Sequence, residues 1–147
     1  MIIYREMTEA DVKKAAKLEA SAFSTPWSEH AFLEAVQNEH AYFMIAEENN
    51  RILAQCGYYD LCKEADISNV VVSEEMRGRG IGKEMLKKLI AHGKEQGIEA
   101  FTLEVRIGNV PAVALYKSLG FQEAGVRPGF YTKPKEDALI MWLREDA

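Results

Sequence analysis

The chain has 147 residues, and we expect residues 1–147 to form a single domain because domains average roughly 150 residues. Apolar residues make up 48% and charged residues 28%, an ordinary globular composition that excludes intrinsic disorder and fibrous repeats. A net charge of −5 disfavours nucleic acid and anionic lipid as partners, because the summed field of the protein repels phosphate.

The cysteines, the histidines and the N-terminus predict a soluble cytoplasmic protein without a metal. Residues 1–6 lack the basic stretch and apolar core of a signal peptide, and no apolar run approaches the roughly 18 residues that span a bilayer. Cys56 and Cys62 have five residues between them, which fits neither a CxxC redox motif nor a zinc ribbon, so we interpret them as buried or free thiols of a reducing compartment. The three histidines are too scattered for a metal site.

The first half of the chain predicts four strands and two helices. A strand at residues 2–6 precedes a helix that begins at the N-cap Thr8, with Asp11 three residues on, and runs to about Phe23. Its apolar residues recur at helical spacing and predict the core face, with the polar residues mostly outside it: Val12, Ala15, Ala16, Ala20 and Phe23 inside, and Lys13, Lys14, Lys17 and Glu19 outside. Ser28 caps a second helix. The remaining strands are 41–47 and 51–62, which form a hairpin around Asn49-Asn50, and 65–73.

The second half alternates helices and strands. A glycine-rich turn precedes a helix that Gly97 ends, with one apolar row and its neighbours: Ile81, Met85, Leu86, Leu89 and Ile90. A strand at 98–105 follows, and then a helix that Asn109 caps, with Pro111 in its first turn and Gly120 at its end. Residues 121–126 and 138–144 predict two last strands. This order predicts an α/β fold with antiparallel hairpins at both ends and a strand–helix–strand–helix crossover in the middle.

The glycine-rich turn has the composition of a phosphate-binding site. Glycines at a helix start leave backbone N–H groups open at the positive end of the helix dipole. A P-loop is excluded because it needs glycine and a hydroxyl residue where the chain has Arg77 and Glu84, and a dinucleotide fingerprint lacks its third glycine. What remains is the pattern R-x-x-G-x-G, formed by Arg77, Gly80 and Gly82.

This pattern resembles the coenzyme A pyrophosphate motif of the GNAT superfamily of acyl-CoA-dependent N-acetyltransferases. A second block, N-x-x-A-x-x-x-Y-x-x-x-G-F from Asn109 to Phe121, resembles the second half of the same family. Three further segments, at residues 23–28, 103–106 and 136–141, resemble the RimI type, the bacterial ribosomal-protein alanine N-acetyltransferases. The resemblance implies the GNAT fold, in which a mixed, mostly antiparallel sheet is flanked by helices and splayed in the middle to admit acetyl-CoA.

Glu104 and Tyr116 are the candidate catalytic residues. Glu104 projects from the polar face of an alternating strand, where a carboxylate can take a proton from an α-amine of pKa about 8. Tyr116 shares a helix face with Asn109, and a phenol of pKa about 10 can protonate a thiolate whose thiol has a pKa of about 8.5. The resemblance gives Glu104 the same role as base. The alternatives are a solvated strand glutamate and a tyrosine that packs in the core.

The resemblance implies acetyl-CoA as cosubstrate, with no metal. The expected contacts of the cosubstrate lie on the strand end, the glycine turn and the later helix: Val70, Val71, Val72, Arg77, Gly78, Arg79, Gly80, Ile81, Gly82, Lys83, Asn109 and Tyr116. A backbone N–H within residues 70–72, freed by a bulge, is expected to bind the developing oxyanion. A local basic cluster suits the phosphates: Arg77, Arg79, Lys83, Lys87 and Lys88.

The acceptor implied by the resemblance is the free α-amine of a protein N-terminus, the alanine of a small-subunit ribosomal protein, acetylated by direct transfer. Trp27, Arg127 and Tyr131 are candidate acceptor-binding residues, with a core anchor as the alternative for Trp27. Gly108 and the segment 128–131 depart from the RimI pattern, which keeps two alternatives open: acetylation of a small amine or lysine side chain, and a non-catalytic acyl-CoA-binding module. We expect a monomer or weak dimer with no membrane or nucleic-acid partner.

Overall fold

The computed structural model describes residues 1–144, within which seven strands form one sheet and four α-helices pack on it. The strands are β1 (Ile3–Glu6), β2 (Ala41–Glu48), β3 (Arg51–Leu61), β4 (Glu64–Val72), β5 (Ala100–Arg106), β6 (Gln122–Thr132) and β7 (Lys135–Arg144). The helices are α1 (Val12–Ala22), α2 (Glu29–Gln37), α3 (Ile81–Glu95) and α4 (Val110–Ser118). Each predicted helix and strand is therefore present, in the predicted order.

The sheet is mixed and mostly antiparallel, as predicted. Its strand order is β1-β2-β3-β4-β5-β7-β6, and β4 and β5 are its parallel neighbours within residues 1–144. These two strands pair only from Glu64 to Asp66 and from Ala100 to Thr102, although both strands continue further. The sheet therefore opens between the C-terminal ends of β4 and β5, which is the expected splay.

Apolar clusters on both faces of the sheet hold the helices in place. On one face α3 and α4 cover a core whose large, fully buried side chains include Met85, Leu86, Leu89, Phe101 and Met141. On the other face α1 and α2 cover a smaller cluster of Ala15, Phe32, Ala35, Phe43 and Ile45. The predicted apolar row of α3 is buried throughout. Within residues 1–144 no helix is long and apolar enough to cross a membrane.

Local signals place the turns and the helix ends. Asn49 and Asn50 have φ values of +53° and +63°, the left-handed pair that a two-residue hairpin turn requires. The Ser28 hydroxyl accepts the N–H of Ala31 at 3.1 Å and caps α2. The Thr8 N–H donates to the Asp11 carboxylate at 2.7 Å, but a 3₁₀ turn (Glu9–Asp11) precedes α1. The predicted cap Ser28 is thus confirmed, whereas Thr8 caps the 3₁₀ turn and Asp11 stands at the N-cap position of α1 itself.

The predicted core face of α1 is wrong at its C-terminal end. Ala20 and Phe23 are exposed, whereas Glu19 is only 2% exposed. Asp11, Ala15 and Glu19 follow one another at four-residue spacing and share the buried face, since residues four apart lie on one side of a helix. The helix ends at Ala22, and Phe23 leaves it in an extended conformation that directs its side chain outward.

The last two strands are longer than predicted. β6 continues through Pro128 and Gly129 to Thr132, and β7 begins at Lys135. The register of the two strands shifts between Arg127 and Tyr131, so Pro128 lies in an irregular part of an edge strand, where a residue without an N–H is tolerated. The hairpin therefore projects beyond the sheet on the side where β4 and β5 separate.

Candidate active site

The glycine turn exposes the first turn of α3. Gly78 and Gly80 have φ values of +79° and +78°, in the left-handed region that favours glycine, and a Cβ on either would meet no atom within 4 Å. A Cβ on Gly82 would lie 3.1 Å from Cγ2 of Val72, so α3 begins directly against the end of β4. The turn thus combines open backbone with a helix N-terminus, which is the arrangement that binds phosphate.

The predicted basic cluster divides into two groups. Arg77 donates from Nε to the carbonyl of Val72 at 3.1 Å, which holds its guanidinium beside the turn. Lys88 is engaged away from the turn, since its Nζ lies 3.7 Å from Glu84 and 5.5 Å from the centre of the Tyr4 ring. A phosphate role therefore remains a prediction for the cations nearer the turn, and Lys88 is accounted for by its contacts on the helix surface.

A β-bulge interrupts β4 beside the opening. Val71 pairs with Gln55 and Ser68 pairs with Gly57, so Asn69 and Val70 both lie opposite Cys56. Asn69 has a φ of +58°, a left-handed conformation that asparagine tolerates better than most residues. The bulge expected in this strand is present, at Asn69 and Val70. It reorients the backbone where the strand borders the opening.

Glu104 lies on β5 just beyond the last residue that pairs with β4, on the face opposite the α3 core. Arg127, from β6, forms an ion pair with its carboxylate. Asp66, on the neighbouring strand, is half-buried, and burial followed by the charge of Glu104 raises the pKa of Asp66 while Arg127 lowers it. Three charged side chains therefore gather at the mouth of the opening. Asp66 was missed in the sequence, where only its position in an alternating strand could have indicated it.

Tyr116 lies on α4 with its ring in the core. It is 6% exposed and packs edge to face on Phe121, with ring centres 5.9 Å apart. Burial, and then the nearby Cys56 and Tyr131 side chains, raise the pKa of the Tyr116 hydroxyl, so the phenol stays protonated at neutral pH. The ring therefore has the packing role that the sequence left open, and the protonated hydroxyl is in the form that a general acid needs.

Asn109 has the predicted capping role. Its side-chain oxygen accepts the N–H of Ala112 at 3.3 Å at the start of α4. A contact between Asn109 and a cosubstrate remains a prediction.

The predicted acceptor-binding residues lie on the hairpin of β6 and β7 and in residues 23–28, which we call the α1–α2 loop. The Arg106 guanidinium lies 4.3 Å from the centre of the Tyr131 ring and 3.2 Å from a Glu136 oxygen. Arg106 was not among the predicted site residues, although the alternation of β5 puts it on the face of Glu104. The hairpin thus carries a wall of paired charges and aromatic rings beside Glu104.

Trp27 packs as a core anchor. Its ring lies 5.2 Å from Phe32, 5.6 Å from Phe43 and 6.4 Å from Tyr59, measured between ring centres. This packing accounts for Trp27 without a ligand, and a contact with an acceptor remains a prediction.

Neither cysteine is placed to act as a nucleophile at the opening, since Cys56 is buried and Cys62 lies in the turn at the other end of β4. Cys56 and Cys62 are free, and burial raises the pKa of the Cys56 thiol, which keeps it in the unreactive thiol form. Within residues 1–144, no group of three or more His, Cys, Asp or Glu side chains is placed to hold a metal ion.

Known proteins match the chain in sequence and in fold. Residues 12–121 match the model of the acetyltransferase (GNAT) family. The [ribosomal protein bS18]-alanine N-acetyltransferase of Escherichia coli (strain K12) is 34% identical over 135 residues, which cover 90% of each chain. The crystal structure of the ribosomal-protein-S18-alanine N-acetyltransferase from Escherichia coli superposes with a TM-score of 0.91 at 32% identity and covers 100% of this chain and 96% of the other. An acetyltransferase structure from Salmonella typhimurium with its cofactor acetyl-CoA has the same fold, with a TM-score of 0.87 at 20% identity over 100% of this chain and 95% of the other.

Proposed function

The chain belongs to the acetyltransferase (GNAT) family, and from this premise we propose that it transfers the acetyl group of acetyl-CoA to the α-amine of an N-terminal alanine in a small-subunit ribosomal protein. The observation that carries the proposal is the 34% identity to an enzyme of that name across 90% of both chains. The proposed setting is the cytoplasm, with residues 1–147 acting as one catalytic domain.

The donor side of the reaction follows from the glycine turn and the opening in the sheet. The backbone around Gly80 receives the pyrophosphate of acetyl-CoA, and the acetylated arm enters between β4 and β5. This route brings the thioester carbon beside the bulge on one side and Glu104 on the other. A backbone N–H of the bulge, at Val70, then stabilises the oxyanion of the tetrahedral intermediate.

The acceptor amine arrives from the side of the β6–β7 hairpin. Glu104 takes a proton from the amine as the nitrogen attacks, the N–C bond forms, and the C–S bond breaks. The Tyr116 hydroxyl gives its proton to the departing thiolate, and direct transfer needs no covalent enzyme intermediate. An α-amine suits a carboxylate base because its pKa of about 8 leaves far more neutral amine at pH 7 than a lysine of pKa about 10.4.

Arg127 competes with the acceptor for the carboxylate of Glu104. It forms an ion pair with Glu104, so an incoming ammonium group and Arg127 compete for one carboxylate. Asp66, on the far side of the opening, provides a second negative charge that attracts the same ammonium group. The ammonium group therefore displaces the guanidinium from Glu104 and loses its first proton through Glu104 to solvent, and Glu104 takes the second proton as the neutral amine attacks.

Release of coenzyme A thiol with two matched peptides tests the proposal. One peptide carries a free N-terminal alanine and no lysine, and the other has the same sequence with a blocked N-terminus and one lysine. We expect turnover with the first peptide alone. Turnover with the lysine peptide alone refutes α-amine acetylation but keeps the acetyltransferase, whereas acetyl-CoA binding with no turnover on either peptide, or on a panel of small amines, favours a non-catalytic acyl-CoA-binding module.

A further inference from the structure

Glu19 is a buried carboxylate that the proposed mechanism does not use. It lies in the last turns of α1 and is 2% exposed. One of its oxygens, Oε2, accepts the side-chain N–H of Asn69 at 2.8 Å and the backbone N–H of Trp27 at 3.1 Å. A single carboxylate oxygen thus joins three separate parts of the chain: helix α1, the α1–α2 loop and the bulge in β4.

Asn69 is the residue of the bulge that most needs an external partner. Its backbone is left-handed, with φ +58°, and most L residues in this region carry a steric cost. Its side chain reaches across to α1 instead of turning back to its own backbone. The hydrogen bond that Asn69 donates to Glu19 therefore holds Asn69 in the conformation that creates the bulge, and Val70 is the next residue along the strand.

A second polar contact fixes α1 at the same level of the sheet. Gln55 is fully buried, and its Nε2 donates to the Ala15 carbonyl at 2.9 Å. Gln55 also pairs with Val71, directly beside the bulge. Helix α1 is thus attached to both strands that border the bulge, β3 and β4. We therefore expect a change in the position of Glu19 to move the bulge as well.

The α1–α2 loop connects this network to the acceptor side. The Ser24 hydroxyl donates to the carbonyl of Lys133 in the turn between β6 and β7, and Trp27 is held at the other end of the same loop by Glu19. The hairpin that carries Arg127 is therefore linked to the bulge through one short loop and one carboxylate. These contacts join the expected thioester side of the site to its expected acceptor side.

From these contacts we infer that Glu19 is a positioning residue, which holds the β4 bulge and the α1–α2 loop in the arrangement that acetyl transfer requires. The inference rests on the proposed function, because it gives the bulge its role at the thioester carbonyl. Burial of a carboxylate costs free energy unless hydrogen bonds compensate for the loss of water. The hydrogen bonds that Glu19 accepts from the bulge and from the α1–α2 loop provide this compensation.

The test compares two substitutions at Glu19 that have similar volume. Glu19→Gln keeps an oxygen that accepts both hydrogen bonds, whereas Glu19→Met removes the acceptor. Because displacement of a reacting group or loss of one oxyanion donor costs about 10²-fold, we expect kcat to fall by roughly 10- to 100-fold in Glu19→Met and to stay within about threefold of the wild type in Glu19→Gln. The KM for acetyl-CoA should remain unchanged in both, since the glycine turn is untouched. Equal kcat in the wild type and Glu19→Met, or equal losses in both variants, overturns the inference.

A second pair of variants at Asn69 covers the case in which Glu19→Met does not fold. Asn69→Gly accepts a left-handed backbone without cost, whereas Asn69→Ala does not. We expect the kcat of Asn69→Ala to be at least fivefold below that of Asn69→Gly, an estimate of about 1 kcal/mol from the cost of the left-handed region. Equal kcat for the two variants contradicts the role of the bulge.

Hydrogen–deuterium exchange separates this inference from the proposed function. Amides of residues 69–71 should exchange faster in Glu19→Met than in the wild type or Glu19→Gln, whether or not the protein acetylates a peptide. Unchanged exchange overturns the inference on its own. If the wild type acetylates neither peptide while the exchange difference is found, the proposed function fails and the structural link through Glu19 stands.

Discussion

Any side chain at Gly57 should destabilise the protein, because an aromatic ring occupies the space above this residue. Gly57 pairs with Phe43 across β2 and β3, and a Cβ on Gly57 would lie 2.5 Å from Cδ1 of that ring. Carbon atoms in contact stay about 3.5–4.0 Å apart, so the ring has to move by roughly 1 Å. Phe43 is 2% exposed and is enclosed by Trp27, Phe32 and Tyr59, with ring centres 5.6, 6.3 and 5.8 Å away.

The loss of folding stability expected for Gly57→Ala follows from this lack of space. Overpacking costs about 1–3 kcal/mol, and a ring enclosed by rings belongs at about 2–3 kcal/mol. At about 2–4 °C per kcal/mol for a protein of this size, Gly57→Ala should lower the melting temperature by about 4–12 °C. Thermal and urea unfolding followed by circular dichroism measure this directly.

Gly125→Ala is the matched control for Gly57→Ala. It also places a methyl group in a strand, but its Cβ would lie 3.9 Å from the nearest atom, Cδ1 of Ile140. We expect Gly125→Ala to melt within about 2 °C of the wild type, as surface substitutions usually stay within about 0.5 kcal/mol. Phe43→Leu should recover part of the loss when combined with Gly57→Ala. Equal melting temperatures for Gly57→Ala and Gly125→Ala would refute the reasoning from the ring.

Three further outcomes test the site. Glu104→Gln should lower kcat with the N-terminal alanine peptide by about 10²-fold or more, and most strongly at low pH, where the amine is protonated. The Kd for acetyl-CoA should stay unchanged. Unaltered kinetics would remove Glu104 from the mechanism. Tyr116→Phe should slow turnover by about 10²-fold with little change in melting temperature, whereas a large fall in melting temperature with normal turnover would leave Tyr116 only its packing role. Burial, opposed by hydrogen bonds from Trp27 and Asn69, raises the pKa of Glu19 above its ordinary value of 4.5 in the folded state. The protonated side chain therefore stabilises the folded state fully below pH 4.5, and this stabilisation is lost as the pH rises through the raised pKa. Glu19→Gln should therefore gain stability relative to the wild type as the pH rises above about 4.5 in urea unfolding, and a pH-independent difference would contradict this.

The sequence predicts the elements well because their signals are local. Caps such as Ser28 and Asn109, the Asn49-Asn50 turn and the apolar row of α3 each depend on residues within one or two turns of the chain. The same holds for the alternation that puts Glu104 on the polar face of β5. The strand bulge was expected, and the structure gives its position.

Contacts between segments that are far apart in the chain could not be predicted from the sequence. Glu19 was assigned to the outer face of its helix, because a charged residue is almost never buried without a partner and its partner, Asn69, lies 50 positions away. The pairing of Arg127 with Glu104 depends in the same way on the return of β6 to the edge of the sheet. Pro128 and Gly129 lie beyond the strand predicted at 121–126, but β7 continues alongside them and keeps both residues in a strand.

The short pairing between β4 and β5 also bears on how the chain folds. Strands β2, β3 and β4 follow one another through tight turns, so their contacts form at a small cost in chain entropy. The parallel contact between β4 and β5 requires that the chain segment containing α3 be placed across the sheet first. Only three residue pairs then join the two strands. We therefore expect the two parts of the sheet to form early and to join late. The boundary proposed to admit acetyl-CoA is thus also the junction of the sheet with the fewest paired residues among residues 1–144.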